Sequence, residues 1–253
     1  MATFIEQVRS ALPTRGTFLN LGSALVAEVC ALSGFDWLLV DLEHGAGGED
    51  GLVGQILAGA AHGVPVVARV ESSERIRVGH VLDLGALGVM FPRLDTPEEV
   101  EHALRHLWYP PRGDRGVAGY NRARSFGADT RSASEVNDSI LGIVQIESTT
   151  ALEQVEAIAA IEGVDVLFIG PSDLSTSLGV AGQLESAPFR AALDRVAAAA
   201  RDAGKAAGIL AGDPASAAWY HDHGFSFVAV ASDSALLRSA AMRAAHPDEK
   251  EHA

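Results

Sequence analysis

Two acidic residues follow apolar segments in the second half of this 253-residue chain. Glu147 comes directly after residues 141–146, and Asp173 lies four residues beyond the apolar segment 164–169. Two carboxylates brought together repel each other unless a cation lies between them. Because oxygen ligands without thiols favour a hard divalent ion, the pair predicts a Mg²⁺ or Mn²⁺ site that also holds waters or a chelating substrate. Taken alone, Asp173 could instead cap a helix.

Asp41 and His44 stand three residues apart at the end of another apolar segment. At this spacing the carboxylate can orient the imidazole ring and raise its basicity, as a general acid or base requires. The glycine-rich residues 45–48 let the following loop fold close to a ligand. The alternative is an ordinary histidine on a surface loop.

Arg69 ends a segment that otherwise contains only valine, alanine and proline. Burying a guanidinium group without an anionic partner is costly. A substrate carboxylate or a developing enolate can supply that partner, and so can an ion pair with Glu43 or Glu71.

Residues 170–175 read Gly-Pro-Ser-Asp-Leu-Ser, which predicts a tight turn that leads into a helix. Backbone N–H groups at such a helix start can hold an anionic substrate group. Asp83 lies on a helix-like stretch, which favours a structural role; a role beside His44 is the alternative.

Eight short, continuous apolar segments are spaced along the chain, with helical patterns between most of them. Continuous segments of this kind predict parallel strands that helices cover on both faces. The segments are residues 17–21, 37–42, 64–70, 88–91, 141–146, 164–169, 206–210 and 225–231. A chain of about 250 residues with this alternation predicts an α/β fold, a (β/α)₈ TIM barrel, whose active site lies at the carboxyl ends of the strands. A doubly wound open sheet has the same alternation, but no Gly-x-Gly-x-x-Gly follows the first strand.

Residues 1–253 are interpreted as a single barrel domain. Residues 109–138 interrupt the alternation of strand and helix patterns, because they contain two prolines, several arginines and few apolar residues. This predicts a functional loop or an ordered insertion. The polar tail, residues 246–253, is expected to fray.

The composition excludes several classes of protein. Lys plus Arg is 19 and Asp plus Glu is 33, so the formal net charge is −14. This balance argues against binding to nucleic acid or to an anionic membrane surface. No segment approaches the about 18 apolar residues of a membrane span, and the N-terminus reads as an amphipathic helix instead of a signal peptide. We therefore predict a cytoplasmic protein, whose single cysteine excludes a multi-cysteine metal site.

Four motifs together resemble one family. They are residues 35–44, 109–116, 144–147 and 163–175, and the similarity runs in order from about residue 16 to residue 237. They are similar to the class II (metal-dependent) pyruvate aldolases of the aldolase/citrate lyase family, typified by 4-hydroxy-2-oxoheptanedioate aldolase.

The resemblance implies a (β/α)₈ barrel in a homohexamer, a dimer of trimers, with the eighth helix exchanged between subunits. It implies that Glu147 and Asp173 bind the metal, while Arg69 binds pyruvate and stabilises its enolate. It further implies that His44 and Asp41 form an acid–base pair and that Asp83 reaches the active site of a neighbouring subunit. Gln145 and the backbone of Gly170, Pro171 and Ser172 would position the 2-oxoacid. Leu210 would lie in the pocket for the acceptor aldehyde.

The function this implies is reversible aldol addition of pyruvate or hydroxypyruvate to an aldehyde, through an enolate stabilised by Mg²⁺, Mn²⁺ or Co²⁺. Gly-Ala-Gly-Gly replaces the family's Ala-Pro after His44, and Tyr120-Asn121-Arg122 is more polar than usual, so the aldehyde stays open. The alternatives are a citrate-lyase-like acyl-CoA lyase and a non-catalytic, metal-dependent 2-oxoacid binder. A Schiff-base mechanism would need Lys205, which lies at the start of a strand, the wrong end of the barrel.

Overall fold

A computed structural model describes residues 2–246 and contains eight parallel strands that close into a barrel. Each strand pairs with the next one along the chain, and the last pairs with the first. The strands are β1 Thr14–Leu19, β2 Trp37–Asp41, β3 Val66–Arg69, β4 Gly88–Phe91, β5 Leu141–Ile146, β6 Val166–Ile169, β7 Ala206–Leu210 and β8 Phe227–Ser232. This closure confirms the predicted barrel and excludes the open sheet.

Twelve α-helices surround or close the barrel in the described part of the chain. They are α1 Phe4–Arg9, α2 Ala24–Leu32, α3 Glu49–Ala61, α4 Arg75–Asp83, α5 Pro97–Arg105, α6 Ala133–Asn137, α7 Thr149–Glu153, α8 Val155–Ala159, α9 Pro171–Ser177, α10 Ala187–Asp202, α11 Pro214–Asp222 and α12 Asp233–Ala245. The helical pattern over residues 151–161 corresponds to two short helices, because the chain is interrupted at Gln154.

Side chains from all eight strands fill the interior of the barrel. Trp37 stacks on Phe227 with 4.0 Å between ring centroids and 11° between ring planes. Gly16 makes this packing possible, because a Cβ atom there would lie 2.1 Å from the Trp37 ring. Val8 of α1 belongs to the same cluster, so α1 closes the end at which the strands begin. The opposite end, where the strands stop, is the one that carries the predicted chemistry.

A second apolar layer lies between the strands and the surrounding helices. It includes fully buried side chains such as Leu38, Val89 and Leu167, which alternate along their strands with interior side chains. Continuous apolar segments therefore mark strands with two buried faces, as the sequence predicts.

The insertion at residues 109–138 contains a cis Pro110–Pro111 bond, a short 3₁₀ segment, Arg122–Gly127, and helix α6. Buried His106 contacts Asp114 at 2.7 Å and so ties the start of the insertion to the end of α5. Of the predicted frayed tail, residues 247–253 lie outside the described residues. No helix within residues 2–246 has the length and apolarity needed to cross a membrane.

Candidate active site

A cavity of about 300 Å³ opens at the carboxyl ends of the strands. Its lining includes eight of the residues predicted from the sequence: His44, Arg69, Gln145, Gly170, Pro171, Ser172, Asp173 and Leu210. These residues are far apart in the chain and meet because parallel strands of a closed barrel all end on the same face. The structure therefore brings together most of the predicted site.

A larger cavity of about 570 Å³ lies elsewhere, near the start of β4. Three arginines line it, Arg115, Arg122 and Arg131, beside apolar residues of α4 and α6. No carboxylate and none of the predicted site residues is in its lining. We place the candidate site in the smaller cavity, because it brings acidic, basic and imidazole groups together and the larger one does not.

Asp41 is a fully buried anion behind two residues of the cavity lining, Asn20 and Arg69. Its two oxygens accept hydrogen bonds from Arg69 Nε at 2.9 Å and Arg69 Nη2 at 2.7 Å. Asn20 Nδ2 and the backbone N–H groups of Glu43 and His44 also donate to it. Burial raises the pKa of Asp41, but the hydrogen bonds and charge of Arg69 outweigh burial and lower the pKa below its usual value. Asp41 is therefore ionised and holds Arg69 in place.

The expectation that Asp41 orients the His44 ring is wrong. Asp41 pairs in register with Arg69 on the neighbouring strand, so its side chain meets the guanidinium group and not the imidazole. The His44 side chain is 66% exposed, and its Nε2 lies 3.8 Å from Glu43 Oε2. Asp41 reaches His44 only through the backbone N–H, at 3.2 Å.

Arg69 keeps one nitrogen directed toward other groups of the site. Its Nη1 lies 3.3 Å from Glu43 Oε2 and 3.5 Å from Gln145 Oε1. The alternative of an ion pair with Glu43 is thus present, whereas Glu71 pairs with Arg77. Since the Arg69 side chain is only 12% exposed, a ligand in the cavity meets a poorly hydrated cation.

Glu147 is buried and is less well compensated than Asp41. Its Oε1 accepts from the backbone N–H of Arg93 at 2.8 Å, and its Oε2 accepts from Gln145 Nε2 at 2.9 Å. Burial raises its pKa, and repulsion from Asp173 and Glu43 raises it further, despite the opposing hydrogen bond from Arg93. This carboxylate therefore lies where a cation would be stabilising.

Asp173 lies in the first turn of α9 and is exposed at the cavity. Within residues 2–246 it makes no hydrogen bond or ion pair, and Gly170 occupies the N-cap of α9 without a side-chain bond. The helix-cap alternative is therefore not observed.

Glu147 and Asp173 fit a divalent ion held by two protein ligands. Ile146 pairs in register with Ile169, so the loops that carry both carboxylates leave adjacent strands at the same level. Gly170 leaves space for Glu147, because a Cβ atom there would lie 2.7 Å from Oε2. No group of three or more His, Cys, Asp or Glu residues within residues 2–246 could enclose a metal. A pair of carboxylates suits a hard ion that keeps open positions for a substrate.

Asp83 does not line the cavity. It is the last residue of α4, which runs from the carboxyl end of β3 back to the start of β4. There its Oδ1 pairs with Nη2 of buried Arg115 at 2.6 Å. Within one subunit Asp83 thus has a structural contact at the opposite end of the barrel.

Asn20 and Ser232 also line the cavity, and the sequence reasoning missed both. The apolar pattern predicts a strand over residues 17–21, which places Asn20 inside it, whereas β1 ends at Leu19. A boundary at Leu19 would have identified Asn20 by the same strand-end rule that identified Glu147.

Comparison with known proteins places this geometry in a family. A family model described as HpcH/HpaI aldolase/citrate lyase matches residues 15–240. The chain belongs to this family. It is therefore an enzyme of the carbon–carbon lyase class, and the resemblance noted in its motifs is confirmed.

Individual relatives match over nearly the whole chain. A hydroxypyruvate/pyruvate aldolase of Paraburkholderia phytofirmans is 44% identical over 243 residues, covering 92% of this chain and 94% of that protein. A 5-keto-4-deoxy-D-glucarate aldolase of Klebsiella pneumoniae is 37% identical over 253 residues, covering 98% and 99%. The crystal structure of a family member from Burkholderia cenocepacia gives a TM-score of 0.91 at 39% identity, covering 96% and 97%.

Proposed function

We propose that this enzyme catalyses the reversible aldol addition of pyruvate or hydroxypyruvate to an aldehyde, and hence the cleavage of 4-hydroxy-2-oxoacids. The observation that carries the proposal is the buried, poorly compensated Glu147, whose carboxylate is close enough to feel the charge of Asp173 and of Arg69, both of which line the cavity. The aldolase names of relatives at 37–44% identity support it.

Glu147 and Asp173 are the residues that would hold a divalent ion, Mg²⁺, Mn²⁺ or Co²⁺. When bound, such an ion acts as a Lewis acid that makes the carbon next to the ketone of a 2-oxoacid more acidic. Gln145 keeps Glu147 oriented through its 2.9 Å hydrogen bond. The turn at Gly170, Pro171 and Ser172 forms the adjacent wall, where it limits how the 2-oxoacid can lie.

Arg69 binds the donor substrate and stabilises charge. Its Nε and Nη2 are occupied by Asp41, so Nη1, which otherwise faces Glu43 and Gln145, is the nitrogen that would donate to an oxygen of the 2-oxoacid. Negative charge grows on that oxygen as the neighbouring C–H proton leaves, so the interaction is stronger in the transition state than in the ground state. Asp41 acts here as a positioning residue for Arg69.

His44 transfers protons at the cavity mouth. Its exposed ring can take a proton from the donor carbon and return one to the hydroxyl group formed from the aldehyde. Solvent access lets the ring re-equilibrate between turnovers. Leu210 lies at the end of β7, where its half-buried side chain borders the space left for the aldehyde.

We further propose a homohexamer in which Asp83 approaches the active site of a neighbouring subunit. The position of Asp83, away from its own cavity, is compatible with this role and incompatible with a role beside its own His44.

The test is proton exchange at the pyruvate methyl group in deuterated buffer, followed by NMR with Mg²⁺ or Mn²⁺, and then a screen of aldehydes. We expect exchange that chelator abolishes, and a 4-hydroxy-2-oxoacid product. Absence of exchange in the wild-type enzyme would favour a 2-oxoacid binder. Cleavage of a carbon–carbon bond in an acyl-CoA substrate without aldol activity, or borohydride trapping of pyruvate on Lys205, would also overturn the proposal.

A further inference from the structure

The larger cavity, near the start of β4, has the features of a second binding site. Its volume of about 570 Å³ compares with about 300 Å³ for the active-site cavity. Apolar side chains from α3, α4, α6 and the intervening chain form much of its wall: Leu57, Leu82, Leu87, Phe126, Val136 and Ile140. Apolar walls of this extent, with a small number of polar groups, are typical of sites for small organic molecules.

The charges in this cavity are not balanced. Arg115 is neutralised by Asp83, at 2.6 Å. Arg131 is neutralised by Asp129, at 2.8 Å. The third arginine of the lining, Arg122, makes no ion pair within residues 2–246. The cavity therefore carries one uncompensated positive charge, although the chain as a whole has a formal net charge of −14.

Arg122 differs in this respect from the other arginines that are not exposed. Within residues 2–246, each of the others lies within 3.5 Å of a carboxylate oxygen: Arg69, Arg77, Arg112, Arg115, Arg124, Arg190 and Arg195. A guanidinium group that is partly withdrawn from water without an anion is destabilising. An anion that enters the cavity would therefore find a cation without competition from a protein carboxylate.

The guanidinium group of Arg122 is held in place and still has free donors. Its Nη1 donates to the carbonyl of Leu84 at 3.1 Å, in the turn between α4 and β4. Gly85 makes this approach possible, because a Cβ atom there would lie 2.3 Å from Nη1. Nε and Nη2 have no protein partner within residues 2–246, and neither is enclosed, unlike Nε of Arg115. Two neighbouring N–H groups of this kind match the two oxygens of a carboxylate.

We propose that this cavity binds an organic monocarboxylate with an apolar body, whose two oxygens accept hydrogen bonds from Nε and Nη2 of Arg122. The apolar wall covers the body of the ligand, and inorganic phosphate would gain nothing from that wall. A dicarboxylate or a phosphate dianion would need a second free cation, whereas Arg115 and Arg131 are already paired. None of the residues that we assign to the aldol reaction lines this cavity, so the site is independent of the proposed function.

Calorimetric titration with 3-phenylpropionate tests the site, and 3-phenylpropionamide is the uncharged counterpart of this probe. We expect the wild-type enzyme to bind the acid and to bind the amide at least about tenfold more weakly. Arg122→Gln should weaken binding of the acid about 10- to 100-fold, because it removes a charged hydrogen-bonding partner. The titration is repeated with Mn²⁺ and an excess of pyruvate, which should leave the affinity for the probe unchanged.

The matched control is Arg201→Gln, which makes the same change of charge outside this cavity. The Arg201 side chain is 73% exposed and pairs with Asp202. Its substitution should leave the affinity for 3-phenylpropionate unchanged. Light scattering on the same samples should give one molar mass for the wild type and both variants, because Arg122 is assigned to a ligand and not to a second copy of the chain.

Each of the other results would overturn the proposal. Absence of binding to the wild type at millimolar probe, or equal affinity in Arg122→Gln, would remove the site. Loss of binding in the presence of pyruvate and Mn²⁺ would place the probe in the active site. Equally tight binding of inorganic phosphate would exclude the proposed class of ligand. A lower molar mass in Arg122→Gln alone would assign this arginine to a contact between subunits.

Discussion

The two buried carboxylates of the site, Asp41 and Glu147, have opposite environments. Asp41 receives hydrogen bonds from the guanidinium group of Arg69, from an amide and from two backbone N–H groups. From the described residues, Glu147 receives two hydrogen bonds, and it lies close to other carboxylates. Asp41 is therefore suited to hold a cationic side chain permanently, and Glu147 to bind a cation that comes from solution.

Substitution of Glu147 and of His44 should separate ion binding from catalysis. Glu147→Gln removes a ligand charge, so we expect Mn²⁺ affinity to fall at least about 100-fold. His44→Ala should leave the affinity within about threefold but lower kcat about 10²- to 10⁴-fold, because it removes only proton transfer. Calorimetric titration with Mn²⁺ and steady-state kinetics provide the two readouts. Equal loss of ion affinity in both variants would contradict this division of roles.

Ion binding should depend on pH through Glu147. Burial raises the pKa of this carboxyl above 4.5, and a proton must leave before an ion can bind. We therefore expect Mn²⁺ affinity to fall as the pH is lowered, starting at a higher pH than for an ordinary glutamate. Titrations at intervals from pH 8 to pH 4 measure the dependence. A constant affinity down to pH 4.5 would be inconsistent with the raised pKa.

The stability of the metal-free enzyme supplies the control, because its dependence on pH should have the opposite sign to that of Mn²⁺ affinity. A raised pKa means that protonated Glu147 stabilises the folded state below pH 4.5, and that this contribution is lost as the pH rises through the raised pKa. The difference in unfolding free energy between the wild type and Glu147→Gln should therefore change with pH in that window. Urea unfolding in the presence of chelator measures it.

At the scale of elements, the site depends on how closely the loop after β6 approaches the loop after β5. Gly170 is in an extended conformation, with φ −87° and ψ 96°, so alanine would not strain the backbone. Its Cβ atom would instead meet Glu147 Oε2 at 2.7 Å. We expect Gly170→Ala to lower Mn²⁺ affinity about 10- to 100-fold by displacing the carboxylate, with the fold retained.

Gly212→Ala is the matched control for this prediction, because it lies on the loop after β7 and its Cβ atom would meet nothing within 4 Å. Its Mn²⁺ affinity should equal that of the wild type. If both alanine variants bind Mn²⁺ normally, the contact between Gly170 and Glu147 does not determine the site.

The strand ends also show which features of the fold and of the site can be predicted from the sequence alone. The order and number of strands follow from continuous apolar segments, and Glu147 and Arg69 follow from strand-end polarity. The partner of Asp41 could not be predicted, because a local spacing of three residues suggested His44 while the inter-strand register selected Arg69. Asn20 was missed because a boundary error of two residues placed it inside β1.

At the scale of the whole molecule, exposed apolar side chains concentrate on two helices that contact each other. In α12, Leu237 is 59% exposed and Met242 is 50% exposed. In α2, Leu25 and Val29 are 75% and 63% exposed and are spaced to lie on one face. An apolar surface of this kind is typical of a subunit interface. It supports, at this scale, the homohexamer that we propose.

Charge on α12 should therefore weaken assembly. We expect the double variant Leu237→Asp with Met242→Asp to have a lower molar mass by light scattering than the wild type at equal concentration, because two carboxylates would be buried in the interface. Leu12→Asp, at a residue 49% exposed in the turn before β1, is the control and should not change the mass. A wild type that is monomeric at all concentrations would contradict the proposal.

The stacked rings of Trp37 and Phe227, with α1 beneath them, fill the barrel from the end where its strands begin. The cavity therefore opens at the other end, where the strands stop. In a reaction between two molecules bound there, the one that lies deeper would have to bind first. We then expect an excess of the second molecule to inhibit the reaction by binding to the empty enzyme.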